Sequence, residues 1–350
     1  MSAGNRDRGI FMYKAFLIHL ATNMWTDRPE NQLPHVDINS WREGLPYTWE
    51  KLYQLLGYHN QAGFHDDLFC DDGVWERITR SFAEKGGNML VIDVGDAVKF
   101  KSHPEISLPH AWSVEKLKKE LARCRELGLQ VVPKLNFSTC HDAWLKDYHR
   151  QVSTPVYYRV CADLIAETAE IFDSPAIFHI GMDEEAAHMQ ATHSISIVRQ
   201  GDLWWHDLNF FCDEVRKAGA RPCMWSDKLW DMDDPAEFSR NVPKDVIQNN
   251  WYYRWVEEPM AQKGDSETLA FFRRGIKAFC QLDEMGYDQL PCGSNWAYDG
   301  NIRLIVDFCK KNLKRKPLGY MTAPWLFTMP EAECVLQDAV EQFCREIPEM

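Results

Sequence analysis

Asn88-Met89-Leu90-Val91-Ile92-Asp93-Val94, then Ser113-Val114-Glu115-Lys116 running on to Leu127-Gly128, then Leu129-Gln130-Val131-Val132-Pro133-Lys134-Leu135-Asn136: on this stretch the fold turns. Two apolar runs of strand length flank a segment of helix length. Ser113, followed by Glu115 and Lys116, is the N-terminal cap of that helix, and Gly128 stops it. Two strands joined by one helix run parallel through a right-handed crossover.

The same alternation extends in both directions. A strand is predicted over 13–20, and a long polar and aromatic segment follows over 21–72, with a short helix expected at 48–56. A helix over 74–85 ends at Gly86 and Gly87. Beyond the opening stretch come a helix over 156–171, a strand over 176–180, a helix over 203–217 ended by Gly219, and strands over 222–225 and 246–250. A helix over 267–274, a strand over 276–282, a helix over 302–313, a strand over 318–325 and a helix over 331–345 complete the chain. Nearly eight strand–helix repeats imply an α/β (β/α)8 TIM barrel. It is expected as a single domain, 1–350, with the barrel over 12–346 and residues 21–72 as a long loop after the first strand. A doubly wound open sheet competes, but it usually carries a Gly-rich phosphate turn after its first strand, and none follows Leu20.

Composition narrows the function. The formal net charge of -13 argues against a nucleic-acid partner. The basic cluster of Lys310, Lys311, Lys314, Arg315 and Lys316 falls at a helix end, where cations complement the dipole. The cysteines number 11, scattered and without a CxxC pair, which suits reduced thiols and a cytoplasmic location better than a disulfide framework. Residues 1–9 are polar and carry no apolar signal core, and no apolar run is long enough to span a bilayer.

Polar and aromatic residues gather just after the apolar runs, where a barrel builds its active site. Asn23 and Trp25 follow the first strand, Asp93 and Asp96 the second, and Asn136 and His141 the third. His179, Asp183 and Glu184 end the fourth, Trp225 and Asp227 the fifth, and Trp251 and Tyr252 the sixth. Asp283 and Glu284 end the predicted seventh, with Trp296 beyond, and Trp325 ends the eighth.

The sharpest segment is Ile177-Phe178-His179-Ile180-Gly181-Met182-Asp183-Glu184-Glu185. Strand alternation puts His179, Gly181 and Asp183 on one face, and Glu184 falls where the strand gives way to loop. Two carboxylates held close cannot both ionise freely, so one is suited to act as a general acid. The alternative is a solvated acidic helix start. A metal-dependent hydrolase is a further alternative, since Glu184 and His188 are one helical turn apart and His141, His149, His179 and His206 are available. No His-x-His or His-Glu-x-x-His pattern accompanies them, so neither a metal nor a cofactor is expected.

This segment resembles the His-x-Gly-Gly-Asp-Glu signature of family 20 glycoside hydrolases, the β-N-acetylhexosaminidases. Val131 to Asn136, with His141 beyond, resembles that family's third strand and its downstream His. Trp225, Trp251 and Trp325 match the places of the Trp that wall the sugar subsite. The resemblance covers roughly the whole barrel. It implies a retaining, exo-acting hydrolase of amino-sugar glycosides. Glu184 would be the acid/base and Asp183 would orient the 2-acetamido group, which itself attacks the anomeric carbon. The expected substrate-binding set is His141, His179, Trp225, Trp251, Tyr252, Asp283, Trp296 and Trp325. His179 reads equally well as a satisfied core histidine.

Departures accompany the resemblance. Met182 replaces the second Gly. His19 and Asn23 stand where the family offers an Asp and a sugar-binding Arg. Leu326-Phe327 stands where it has a carboxylate after the last Trp. The barrel is also expected to stand without the auxiliary domain that precedes it in the family. A barrel that binds sugar without cleaving it remains a third reading of the same residues.

Overall fold

A computed structural model describes residues 12–31, 63–254, 267–296 and 300–347; the helix expected at 48–56 lies outside them. Among these residues eight strands and eight α-helices alternate: β1 (Tyr13–His19), α1 (Asp72–Glu84), β2 (Met89–Asp93), α2 (Val114–Glu126), β3 (Gln130–Lys134), α3 (Pro155–Ile171), β4 (Ile177–His179), α4 (Asp202–Lys217), β5 (Arg221–Trp225), α5 (Pro235–Asn241), β6 (Ile247–Asn249), α6 (Glu267–Glu284), β7 (Cys292–Gly293), α7 (Asn301–Asn312), β8 (Gly319–Thr322) and α8 (Glu333–Glu346). Local chemistry sets the boundaries. The Ser113 hydroxyl accepts from Lys116 N at 3.1 Å at the start of α2, Thr154 caps α3 with Pro155 in its first turn, and Asp71 caps α1.

All strand pairs are parallel, in the order β6-β5-β4-β3-β2-β1-β8-β7. Parallel bridges from Gln248 to Gln289 and from Trp251 to Cys292 close the ring between β6 and β7. The architecture is the (β/α)8 barrel. Along each strand, alternate residues face opposite sides. Ala15, Leu17, Met89, Val91, Val132, Ile177, Cys223 and Met321 fill the barrel interior, while Phe16, Ile18, Leu90, Ile92 and Phe178 pack outward under the helices. Continuing that alternation, the inward position at the last turn of successive strands is polar or aromatic: His19, Asp93, Lys134, His179, Trp225 and Asn249. This top layer is the floor of the site.

The seventh repeat corrects the sequence reading. Residues 276–282, expected as a strand, continue α6. Ile276, Phe279 and Leu282 are buried, a spacing of three that belongs to a helix face. Gly275 does not break the helix. A Cβ there would lie 3.1 Å from the Trp230 ring, so the glycine marks close packing. The true β7 is two residues long and carries no apolar run to betray it. The helix α5 had no counterpart in the sequence reading. No helix among the described residues is long and apolar enough to cross a membrane.

Candidate active site

The loop after β4 carries the acidic pair. Gly181 has φ +72°, Met182 +76° and Glu184 +56°, so the chain turns through left-handed conformations. Gly181 is sterically required. A Cβ on it would fall 1.9 Å from Asn136 Oδ1 and 2.8 Å from Asn136 Cα. Met182 sends its side chain outward into the core under the helices. No α-helix starts here: the acids are followed by extended chain and the short 3-10 turn Ala187–Gln190, so the helix-start alternative fails. Glu184 and His188 accordingly do not share a helical face.

Asp183 is 5% exposed. Asn136 Nδ2 donates to its Oδ1 at 2.8 Å, and the Ser138 hydroxyl donates to its backbone carbonyl. His141 Nε2 lies 3.4 Å from Asp183 Oδ2 and 3.2 Å from Glu184 Oε2, between the two acids. The Glu184 side chain is 32% exposed, against 7% for that of Asp183, so Glu184 meets solvent far more openly. Asp227, after β5, accepts from Glu184 N at 2.7 Å and from Trp251 Nε1 at 3.1 Å. The Cys140 thiol donates to the Glu184 carbonyl at 2.8 Å.

Electrostatics follow from this crowding. Burial pushes the Asp227 carboxyl well above the usual carboxylate range, and the nearby Asp183 adds to the shift. Burial alone would lower His141, but Asp183 and Glu184 reverse that and hold its imidazolium above the ordinary 6.5. In the floor, Lys134 is ion-paired to Asp93, with His19 Nδ1 3.6 Å from the same carboxylate. Burial, with Lys134 beside it, drives His19 down to about 3 and His179 well below its usual value, so both are neutral.

Aromatic rings cluster at the same end of the barrel as the pair. Trp225 lies 4.7 Å from His179 and 5.7 Å from Trp325 between ring centroids. Trp325, at φ +52°, sits 5.7 Å from His19 and 6.4 Å from Tyr253. Trp251 stacks on Tyr253 at 5.0 Å and 21°, and Trp296 meets Tyr253 edge-on. Trp25 meets His141 edge-on at 5.7 Å.

Of the residues expected from sequence, Asp183, Glu184, His141, His179, Trp225, Trp251, Trp296 and Trp325 share this end of the barrel. Tyr252 and Asp283 do not. Tyr252 points into the outer core; strand alternation gives the inward position to Tyr253, as the shared parity of 251 and 253 would have signalled. Asp283 lies in the last turn of α6, at the opposite end of the barrel. There it accepts from Lys314 N at 2.7 Å and Arg315 Nε at 3.0 Å. Glu284 goes with it. Two surface clefts, of about 290 and 140 Å³, also lie at that opposite end. The contributions of Asn136, Asp227 and Tyr253 exceed what the sequence indicated. Their partners are tens of residues away, out of reach of any local pattern.

No family model matches the chain, and no curated protein matches it in sequence. Solved structures do match in fold. An inactive mutant of the GH20 exo-β-N-acetylglucosaminidase from Vibrio harveyi is similar over 96% of this chain and 56% of its own, at TM-score 0.54 and 13% identity. The GH20 β-N-acetylhexosaminidase from Streptomyces coelicolor is similar over 78% of this chain and 62% of its own, at TM-score 0.51 and 15% identity. Dispersin B is similar over 78% of this chain and 95% of its own, at TM-score 0.51 and 16% identity. The chain thus spans less than two thirds of the length of the first two. At these identities the likeness is one of fold.

Proposed function

We propose that this chain is a retaining, exo-acting glycoside hydrolase of 2-acetamido sugars that uses its substrate's own acetamido group as nucleophile. The observation that carries the reading is the unequal setting of two adjacent acids. Asp183 is buried and pinned by Asn136; Glu184 is one-third exposed, and its carboxylate lies 3.2 Å from His141 Nε2. A pinned, largely buried carboxylate suits orientation and charge stabilisation. A carboxyl open to solvent can give up a proton and regain it. The Asp-Glu signature and the fold shared with the GH20 enzymes support the same division of roles.

The steps balance within that arrangement. Glu184 gives its proton to the glycosidic oxygen as the bond to the anomeric carbon breaks. The acetamido carbonyl oxygen forms the new bond to that carbon, and Asp183 stabilises the charge that develops on the group. Water then attacks the anomeric carbon, giving its proton to Glu184 and reopening the ring with overall retention. His141 holds the two acids in register. Trp225, Trp251, Tyr253 and Trp325 enclose the sugar and exclude water. With a neutral His19 in the floor and Phe327 buried in the outer core, two charged sugar-binding groups of the family have no counterpart here, and the accepted sugar differs accordingly.

The test is a panel of aryl glycosides. N-acetylglucosaminide or N-acetylgalactosaminide should be cleaved, the matching 2-hydroxy glycosides should not, and a thiazoline mimic of the cyclised intermediate should inhibit. Equal cleavage of 2-hydroxy glycosides together with indifference to the thiazoline would assign the nucleophile to the protein. Saturable sugar binding with no turnover would favour a non-catalytic binding barrel.

A further inference from the structure

Beside the acidic pair, the loops after β3 and β4 bring Asp142, His149 and His193 together in the interior, each no more than 3% exposed. One ligand-type atom of each lies within 4.8 Å of those of the other two. Among the described residues, both carboxylate oxygens of Asp142 are buried without a hydrogen-bond partner, and the buried ring of His193 has at most the Met24 backbone as one. Native interiors rarely leave such atoms unpaired, and a cluster of them in one place calls for a missing partner.

His149 shows what that partner is. Its Nε2 lies 3.1 Å from Asp27 Oδ2, in the loop after β1. The Asp27 carboxylate also accepts from Ser194 N at 2.7 Å, from Arg150 at 2.8 Å and from the Ser194 hydroxyl. A carboxylate so placed takes the proton of Nε2 as a donor, which leaves the lone pair on Nδ1. That atom faces Asp142 Oδ1 at 3.9 Å. A carboxylate behind one ring nitrogen is how metal-binding histidines are oriented.

We infer that Asp142, His149 and His193 bind a divalent transition-metal ion, with Zn²⁺ as the expected occupant. Two imidazoles and a carboxylate match the donor preference of zinc and leave a fourth position for water. Ligand atoms about 2.0–2.1 Å from a tetrahedral Zn²⁺ lie about 3.4 Å apart, so His149 and Asp142 need to close by only about half an ångström. The ion ties the loops after β3 and β4 to each other and, through Asp27, to the loop after β1. Asp142 directly follows His141, so the tie fixes the residue that stands between the two acids. Nothing in this inference depends on the hydrolase reading.

The experiment is metal retention by the full chain. Protein stripped with chelator, supplied with Zn²⁺ and passed through gel filtration is assayed by elemental analysis. Wild type should retain a single Zn²⁺ per chain. Glu184→Gln, which alters the other converging set of His141, Asp183 and Glu184, should retain it equally. Asp142→Asn and His193→Gln should lose it, and chelation should lower the Tm of wild type but not of these two. No retained Zn²⁺ in wild type, loss in Glu184→Gln, or unchanged retention in Asp142→Asn and His193→Gln overturns the assignment. If those variants fail to fold, Co²⁺ added to the Glu184→Gln chain decides the matter. Visible d–d bands of a four-coordinate site support the assignment, and a featureless spectrum overturns it.

Discussion

Gly181→Ala is the most informative single change, with Gly128→Ala as its reference. Both glycines have left-handed backbone, at φ +72° and +84°, but a Cβ on Gly128 meets nothing within 4 Å. An L-residue in that region costs about 1–2 kcal/mol, offset by about 0.4–1 kcal/mol from a stiffer unfolded chain. Gly128→Ala should therefore destabilise by roughly 1 kcal/mol. Gly181→Ala carries the same cost and also drives its methyl into Asn136. That amide makes three buried hydrogen bonds, to Asp183 Oδ1 at 2.8 Å, from Ser138 N at 3.0 Å and from Met182 N at 3.2 Å. At about 1 kcal/mol each, losing them adds about 3 kcal/mol, for a total near 4 kcal/mol. Urea titrations followed by tryptophan fluorescence give the stability difference, provided the m-values agree. Turnover of an aryl N-acetylglucosaminide by the folded fraction reports whether Asp183 has lost its position. If the two variants are equally stable, or Gly181→Ala turns over normally, the account of Asn136 as the anchor of Asp183 is wrong.

Two other changes bear on the basin. Trp325→Ala should raise KM several-fold with a smaller effect on kcat, because sugar stacking on one ring is worth on the order of 1 kcal/mol; an unchanged KM would remove Trp325 from the wall. His141 has its pKa raised by Asp183 and Glu184 against the effect of burial, so its protonated form stabilises the fold fully below the ordinary 6.5 and is lost as pH rises through the raised value. The stability gap between wild type and His141→Gln should therefore narrow as pH is raised above 6.5, and a gap independent of pH would show that the imidazole is not charged between the acids.

The fold was largely legible because burial in a barrel is two-sided and periodic. Strands such as 89–93 and 130–134 are short apolar runs between capped helices, and seven of the eight could be placed from that pattern. The seventh was hidden for two reasons. Its strand, Cys292–Gly293, is too short to form a run, and Gly275 imitated a helix stop while in fact admitting Trp230. That one error carried Asp283 into the expected site. The Tyr252 error was of a different kind, since counting inward from Trp251 by two gives Tyr253. Asn136 and Asp227 were visible only as polar residues at strand ends, because their work is done across the barrel mouth. The Asp142, His149 and His193 cluster has no sequence spacing at all to announce it. It exists only once the loops after β3 and β4 are folded against each other.

The central claim is that Glu184 is the proton donor and acceptor at this barrel mouth. Its most direct test is turnover of an aryl N-acetyl-hexosaminide by Glu184→Gln, with thermal unfolding measured on the same preparation. A positioned general acid/base contributes about 10²–10⁴-fold, so kcat should fall by that factor while the Tm stays close to wild type. Near-normal turnover by a folded Glu184→Gln chain would contradict the account.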